Sequence, residues 1–169
     1  MIYFAFGSNM DPQQMRERCP SHELRGRACL PDFELCFPRR SPSRECATAG
    51  FTPAEGKVLW GVLYELSDKD AASLHEAEGY VPGGASEQNR HNLEEIEVRL
   101  DRLSGEAVAA LTYVARPDGL GAAPSREYMD HLISGAQHHR LPKAYLVRLL
   151  AIRTRVTVQS LFVAMRAKR

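Results

Sequence analysis

Two short stretches hold residues able to do chemistry, next to glycines that would expose them. The first is "YFAFGSNM", residues 3–10, where the strand formers Tyr3, Phe4 and Phe6 run into Gly7, Ser8 and Asn9. A strand that turns straight into a helix start leaves backbone N–H groups pointing outward. Such a corner can take an anion or a developing oxyanion, although a plain β-to-α turn would use the same residues. The second is "LHEAEGY", residues 74–80, in which Glu78 stands on the last helical turn before Gly79. A carboxyl there feels the negative end of the helix dipole, which favours its protonated form and suits acid/base duty. A merely solvated glutamate is the alternative. Glu76 falls on another face of the same helix and reads as a surface acid.

Other catalytic patterns find little support. Ser8 lies in Gly-Ser-Asn rather than in a Gly-x-Ser-x-Gly elbow, and the corner lacks the lysine of a phosphate-binding P-loop. Cys36 or Cys46 could pair with His75, but nothing local supports a thiol centre. Cys19, Cys29, Cys36 and Cys46 are spaced by 10, 7 and 10 residues, with no Cys-x-x-Cys pair, so buried or half-buried thiols are expected. His138 and His139 are adjacent on a helix and point about 100° apart, which reads as a solvated pair rather than a metal site. No metal and no cofactor are expected.

The elements that must position the two stretches follow from pattern. Ile2–Phe6 is a short strand, and Asp11-Pro12 supplies an N-cap and a first-turn proline for a helix to about Arg18. Residues 24–37 are strand-like with a break at Pro31-Asp32. The turn-rich "SPSRECATAGFTPAEGK" reads as a surface excursion with a brief strand near Cys46–Phe51. "VLWGVLYEL", Val58–Leu66, is apolar apart from Glu65 and predicts a strand buried on both faces. Ser67 and Asp70 form a variant capping box for a helix from Asp68 to about Ala77, stopped by Gly79, with Ala71 and Leu74 inward. Strands follow at Leu93–Leu100 and Ala107–Ala115. Helices follow from Ser125 to about His138 and from Pro142 to about Arg153, and "RVTVQSLFV" is partly strand-like. About six or seven mostly hairpin-like strands and four helices without regular alternation predict α+β, with a curled or barrel-like sheet rather than a doubly wound one.

The 169 residues suit one domain, 1–169, with a real core. No apolar run approaches a membrane span and no secretory signal is visible, so the cytoplasm is the default compartment. Residues 143–169 hold seven Lys or Arg and no acid, while 65–106 hold eleven acids against four bases. The basic end lacks a nucleic-acid motif and reads as a solvated face. No nucleic acid and no membrane are expected as partners.

Three blocks resemble the γ-glutamylcyclotransferase family. "YFAFGSNM" is similar to its Tyr-Gly-Ser-Asn-Leu signature, with Phe6 for Tyr and Met10 for Leu. "LWGVLYELSDKDAASLHEAEGY" resembles its strand-helix-Glu-Gly segment. "APSREYMDHLISGAQHHRLPKAYLVRLLAI" resembles its Pro-Ser-x-x-Tyr and Leu-Pro-x-x-Tyr helices. His91 or Leu93 stands where family members often carry Tyr. The resemblance implies a small barrel with helices packed around it. It also implies a cyclisation in which the α-amine of a γ-glutamyl group attacks its own γ-carbonyl, giving 5-oxoproline and a free amine or amino acid. By position Glu78 becomes the acid/base. The backbone of Tyr3, Phe4, Ala5, Phe6, Gly7 and Ser8, with Asn9 at the same corner, holds the glutamyl moiety, and the Tyr128 hydroxyl contacts substrate. The partner implied is a small-molecule γ-glutamyl substrate, with a homodimer left open. The rival reading is a non-catalytic binding protein on the same barrel.

Overall fold

Val58–Leu66 is the apolar spine of the protein, and it belongs to a strand far longer than its own pattern suggests. The computed structural model describes residues 1–119 and 122–154. In it β1 (Ile2–Ala5) leads through a 3₁₀ turn at Ser8–Met10 into α1 (Pro12–Arg18). The chain then forms β2 (Glu23–Ser41), β3 (Cys46–Glu65), α2 (Asp68–Glu78), a second 3₁₀ turn at Ser86–Gln88, β4 (His91–Leu100) and β5 (Ala107–Ala115). Two helices follow, α3 (Arg126–His138) and α4 (Lys143–Leu150).

The sheet closes as β1-β3-β2-β4-β5, all neighbours antiparallel except β5 against β1, where Tyr3 faces Leu111. Closure leaves no open sheet edge in the barrel, and the expected α+β barrel is what forms. Five strands replace the six or seven expected among the described residues, because two pairs of short segments fuse. The break at Pro31-Asp32 is a bulge within β2. Asp32 takes a left-handed backbone (φ 61°), and its carboxylate accepts the Gly56 N–H at 2.8 Å. The expected surface excursion is instead the far half of a β2–β3 hairpin, with Ser41 opposite Cys46. β2 meets β4 only at Ala28 and Cys29, so this half runs past the barrel as an arm. Phe33 and Phe51 pack edge to face on the arm, and Phe51 packs likewise on Phe6, drawing the arm over the corner after β1.

Phe4, Leu59, Val62, Leu63 and Leu74 fill the core, and all four cysteines are free thiols, three of them buried. Helix α3 presents Tyr128, Met129, Leu132, Gly135 and Ala136 inward at helical spacing. Gly135 lies so close to the corner that a Cβ would stand 2.5 Å from the Met10 backbone. One expectation about the C-terminal third fails. Helix α4 ends at Leu150, whose side chain is exposed, so Leu149 and Tyr145 make the buried contacts. The segment "RVTVQSLFV" lies outside the described residues. Among those residues no helix is long and apolar enough to cross a membrane.

Candidate active site

The corner and the helix-end glutamate, 69 residues apart in the chain, meet. Asp11 caps α1 by accepting the Gln13 N–H at 2.9 Å, with Pro12 inside the first turn. Ahead of it the 3₁₀ turn closes through Met10 N–H to Gly7 O and Asp11 N–H to Ser8 O, both 3.0 Å. Helix α2 ends in a Schellman motif: Tyr80 N–H reaches His75 O at 2.9 Å, Gly79 N–H reaches Glu76 O at 3.0 Å, and Gly79 has φ 64°. Glu78 is therefore the last residue before the left-handed step, and the turn aims its side chain at the corner.

Asn9 joins the two. Its Nδ2 donates to Glu78 Oε1 at 3.0 Å and to the Tyr3 hydroxyl at 2.8 Å. Its Oδ1 accepts from Gln14 Nε2 at 3.0 Å and from Arg18 Nη1 at 2.9 Å. Both ends of the buried amide are satisfied in this orientation only, since a flip would set its oxygen against the carboxylate. Arg18 Nη1 also donates to Glu78 Oε1 at 2.9 Å, and Gln14 Nε2 to Ser8 Oγ at 2.9 Å. Oε1 thus takes two charge-assisted or amide bonds, whereas Oε2 takes none among the described residues and stands 3.5 Å from His91 Nδ1. That ring nitrogen lies 2.9 Å from Glu78 O, to which it donates.

These groups border a cavity of about 100 Å³. Tyr3, Phe6, Gly7, Ser8, Asn9, Glu78 and Tyr128 line it. Phe4 and Ala5 do not; both are fully buried in the barrel, where Phe4 O accepts from Thr112 Oγ1 at 2.8 Å. Alternation along β1 turns Phe4 to the face opposite Tyr3, and Ala5 carries only a methyl group. Tyr128 lies at the floor, and its hydroxyl accepts the Ala49 N–H from the arm at 2.9 Å. Burial pushes this phenol up to about 12, and pushes Tyr3 well above its ordinary value with the Glu78 charge adding to it. Both phenols stay protonated beside the carboxylate and can donate.

Sequence reasoning did not single out Gln14 or Arg18. The signal was their i, i+4 spacing on the helix that opens at the corner, which sets both on one face pointing back at it. It also misjudged His139. Only His138 is exposed, while half-buried His139 lies with Nε2 3.0 Å from Met10 O and 3.1 Å from the Tyr64 hydroxyl. His75 faces the Tyr113 hydroxyl at 2.7 Å rather than a thiol.

A family model described as the AIG2-like family matches residues 58–149, more than half of the chain. The protein belongs to the AIG2-like family. The matched span runs from the spine of β3 through Glu78 to α4 and so includes the carboxylate of the cavity. Relatives of this AIG2-like chain extend beyond that span. It is 28% identical over 155 residues to γ-glutamylcyclotransferases of mouse and of human, covering 89% of this chain and 78% of each relative. A solved γ-glutamyl cyclotransferase superposes with a TM-score of 0.80 at 25% identity, covering 98% of both chains. The barrel and its helices are thus the architecture of that enzyme.

Proposed function

We propose that this AIG2-like protein is a γ-glutamylcyclotransferase that releases 5-oxoproline from a γ-glutamyl amino acid or amine by intramolecular aminolysis. The observation that carries the proposal is the Glu78 carboxylate, anchored through Oε1 by Asn9 and Arg18 at the cavity, with Oε2 left to exchange a proton. Nucleophile and electrophile both belong to the substrate, so the protein needs only to fold the glutamyl chain into attack geometry and move protons. Glu78 Oε2 takes a proton from the α-ammonium. The freed amine attacks the γ-carbonyl carbon, forming the lactam C–N bond and a tetrahedral oxyanion. The attacking nitrogen, still carrying two hydrogens, gives up one to solvent; the intermediate then collapses with cleavage of the original amide C–N bond, and Glu78 returns its proton to the departing nitrogen. The amides at Gly7–Asn9 and the phenols of Tyr3 and Tyr128 serve the α-carboxylate and the oxyanion.

Incubation of the purified protein with γ-glutamyl-alanine should release 5-oxoproline and alanine in equal amounts. Failure to release 5-oxoproline from any γ-glutamyl amino acid or amine would remove this reading in favour of a binding protein.

A further inference from the structure

The charge of the cavity wall is lopsided. Four arginines, Arg18, Arg39, Arg44 and Arg90, line the cavity, against the single carboxylate of Glu78. Arg18 is paired with that carboxylate. Among the described residues the other three form no ion pair, and each rests on neutral oxygens. Arg39 Nη1 donates to Arg116 O at 3.2 Å, Arg44 Nη2 to Gln14 Oε1, and Arg90 Nη2 to the Glu76 and Ala77 carbonyls at 3.3 and 3.2 Å. Arg39 and Arg44 are half-buried and both sit on the β2–β3 arm, which the fold lays over the corner. The Arg44 guanidinium is held 5.2 Å above the Tyr128 ring, so it is oriented before any ligand arrives. Ser41 and Ser43 add hydroxyls to the same wall.

A cleft lined by unneutralised, pre-set guanidiniums concentrates anions and binds planar or tetrahedral oxyanions through paired N–H groups. The Gly7–Asn9 corner already accounts for the α-carboxylate of the glutamyl group. We infer that the arm forms a leaving-group subsite for γ-glutamyl compounds whose departing amine carries an acidic side group, a carboxylate or a phosphate. Arg39 and Arg44 receive that group. The inference rests on the cyclisation proposed above and narrows its substrate. A carboxylate-only leaving group such as alanine uses one anion where the wall offers sites for two. A neutral amine uses none.

The test compares γ-glutamyl-glutamate and γ-glutamyl-O-phosphoserine with the near-isosteric neutral γ-glutamyl-glutamine. At least one acidic compound should exceed the neutral one by about ten-fold or more in kcat/KM, mainly through KM, and the better of the two identifies the acidic group. The advantage should shrink as salt rises from about 0.05 to 0.5 M, since the arm is open to solvent. It should collapse in the double variant Arg39→Gln, Arg44→Gln. Equal kcat/KM for all three compounds in the wild type overturns the subsite while leaving the cyclisation standing. No 5-oxoproline from any of them overturns both. The wild-type ranking and its salt dependence decide the matter even if the double variant does not fold.

Discussion

Glu78 and Asn9 make the residue-scale case, because one amide decides where one carboxylate points. Glu78→Gln preserves the shape of the side chain but removes its ability to take up and return a proton. Turnover of a γ-glutamyl substrate should fall by about 10²–10⁴-fold, the range for losing general acid/base catalysis. Substrate binding should persist, since the Gly7–Asn9 amides and the phenols are untouched. Glu76→Gln, on the exposed face of the same helix, is the matched control and should turn over like the parent. Steady-state kinetics on the two variants distinguishes a proton shuttle from a surface acid, and equal rates in both would exclude Glu78 from the chemistry. Arg18 bonds both Glu78 and Asn9, so it acts on the carboxylate directly and through its neighbour.

At the scale of elements, the site depends on how closely α3 approaches the corner. The helix can come this near only because residue 135 has no side chain; a Cβ there would stand 2.5 Å from Met10 Cβ and from its carbonyl carbon. Gly135→Ala must push α3 away from residues 7–10. Overpacking of this kind costs about 1–3 kcal/mol, which should appear as a lower urea midpoint with an unchanged slope. Since Tyr128 rides on the same helix and its hydroxyl takes the Ala49 amide, catalytic efficiency should fall beyond what the unfolded fraction explains. A variant with parental midpoint and activity would show that the helix can settle elsewhere at no cost.

For the whole molecule, His139 ties the end of α3 back to Met10 and Tyr64 across the fold. Burial, with the neighbouring His138 charge adding to it, pulls this imidazole down from 6.5 to about 4. Between those values the unfolded chain binds a proton that the folded chain does not. Its contribution is therefore fully present above pH 6.5 and is lost progressively as the pH falls toward about 4. Chemical denaturation at pH 7.5 and at pH 4.5 should show the parent losing stability over this interval. His139→Gln should be less stable than the parent at the higher pH but should lose less on acidification. A decline as steep in the variant as in the parent would place the acid sensitivity in other groups.

Local signals were enough for much of this. Asp11-Pro12, Ser67 and Gly79 start and stop α1 and α2 within a residue or so, because caps act over one turn and need no distant partner. The apolar run of Val58–Tyr64 announces a buried strand for the same reason, and the α+β class followed from the order of such segments. Glu78 and the Gly-Ser-Asn corner were legible as separate candidates. Tertiary structure alone decided that they touch, that Asn9 orients the carboxylate, and that Arg18 joins them. The arm was misread as an excursion because its turn formers are paired across the hairpin, an arrangement that composition does not record. His139 was misread because burial is a property of what packs against a residue. Contacts between residues 9, 18 and 78, or between 10 and 139, exist only once the barrel has closed, since chain separation carries no information about distance in the folded state.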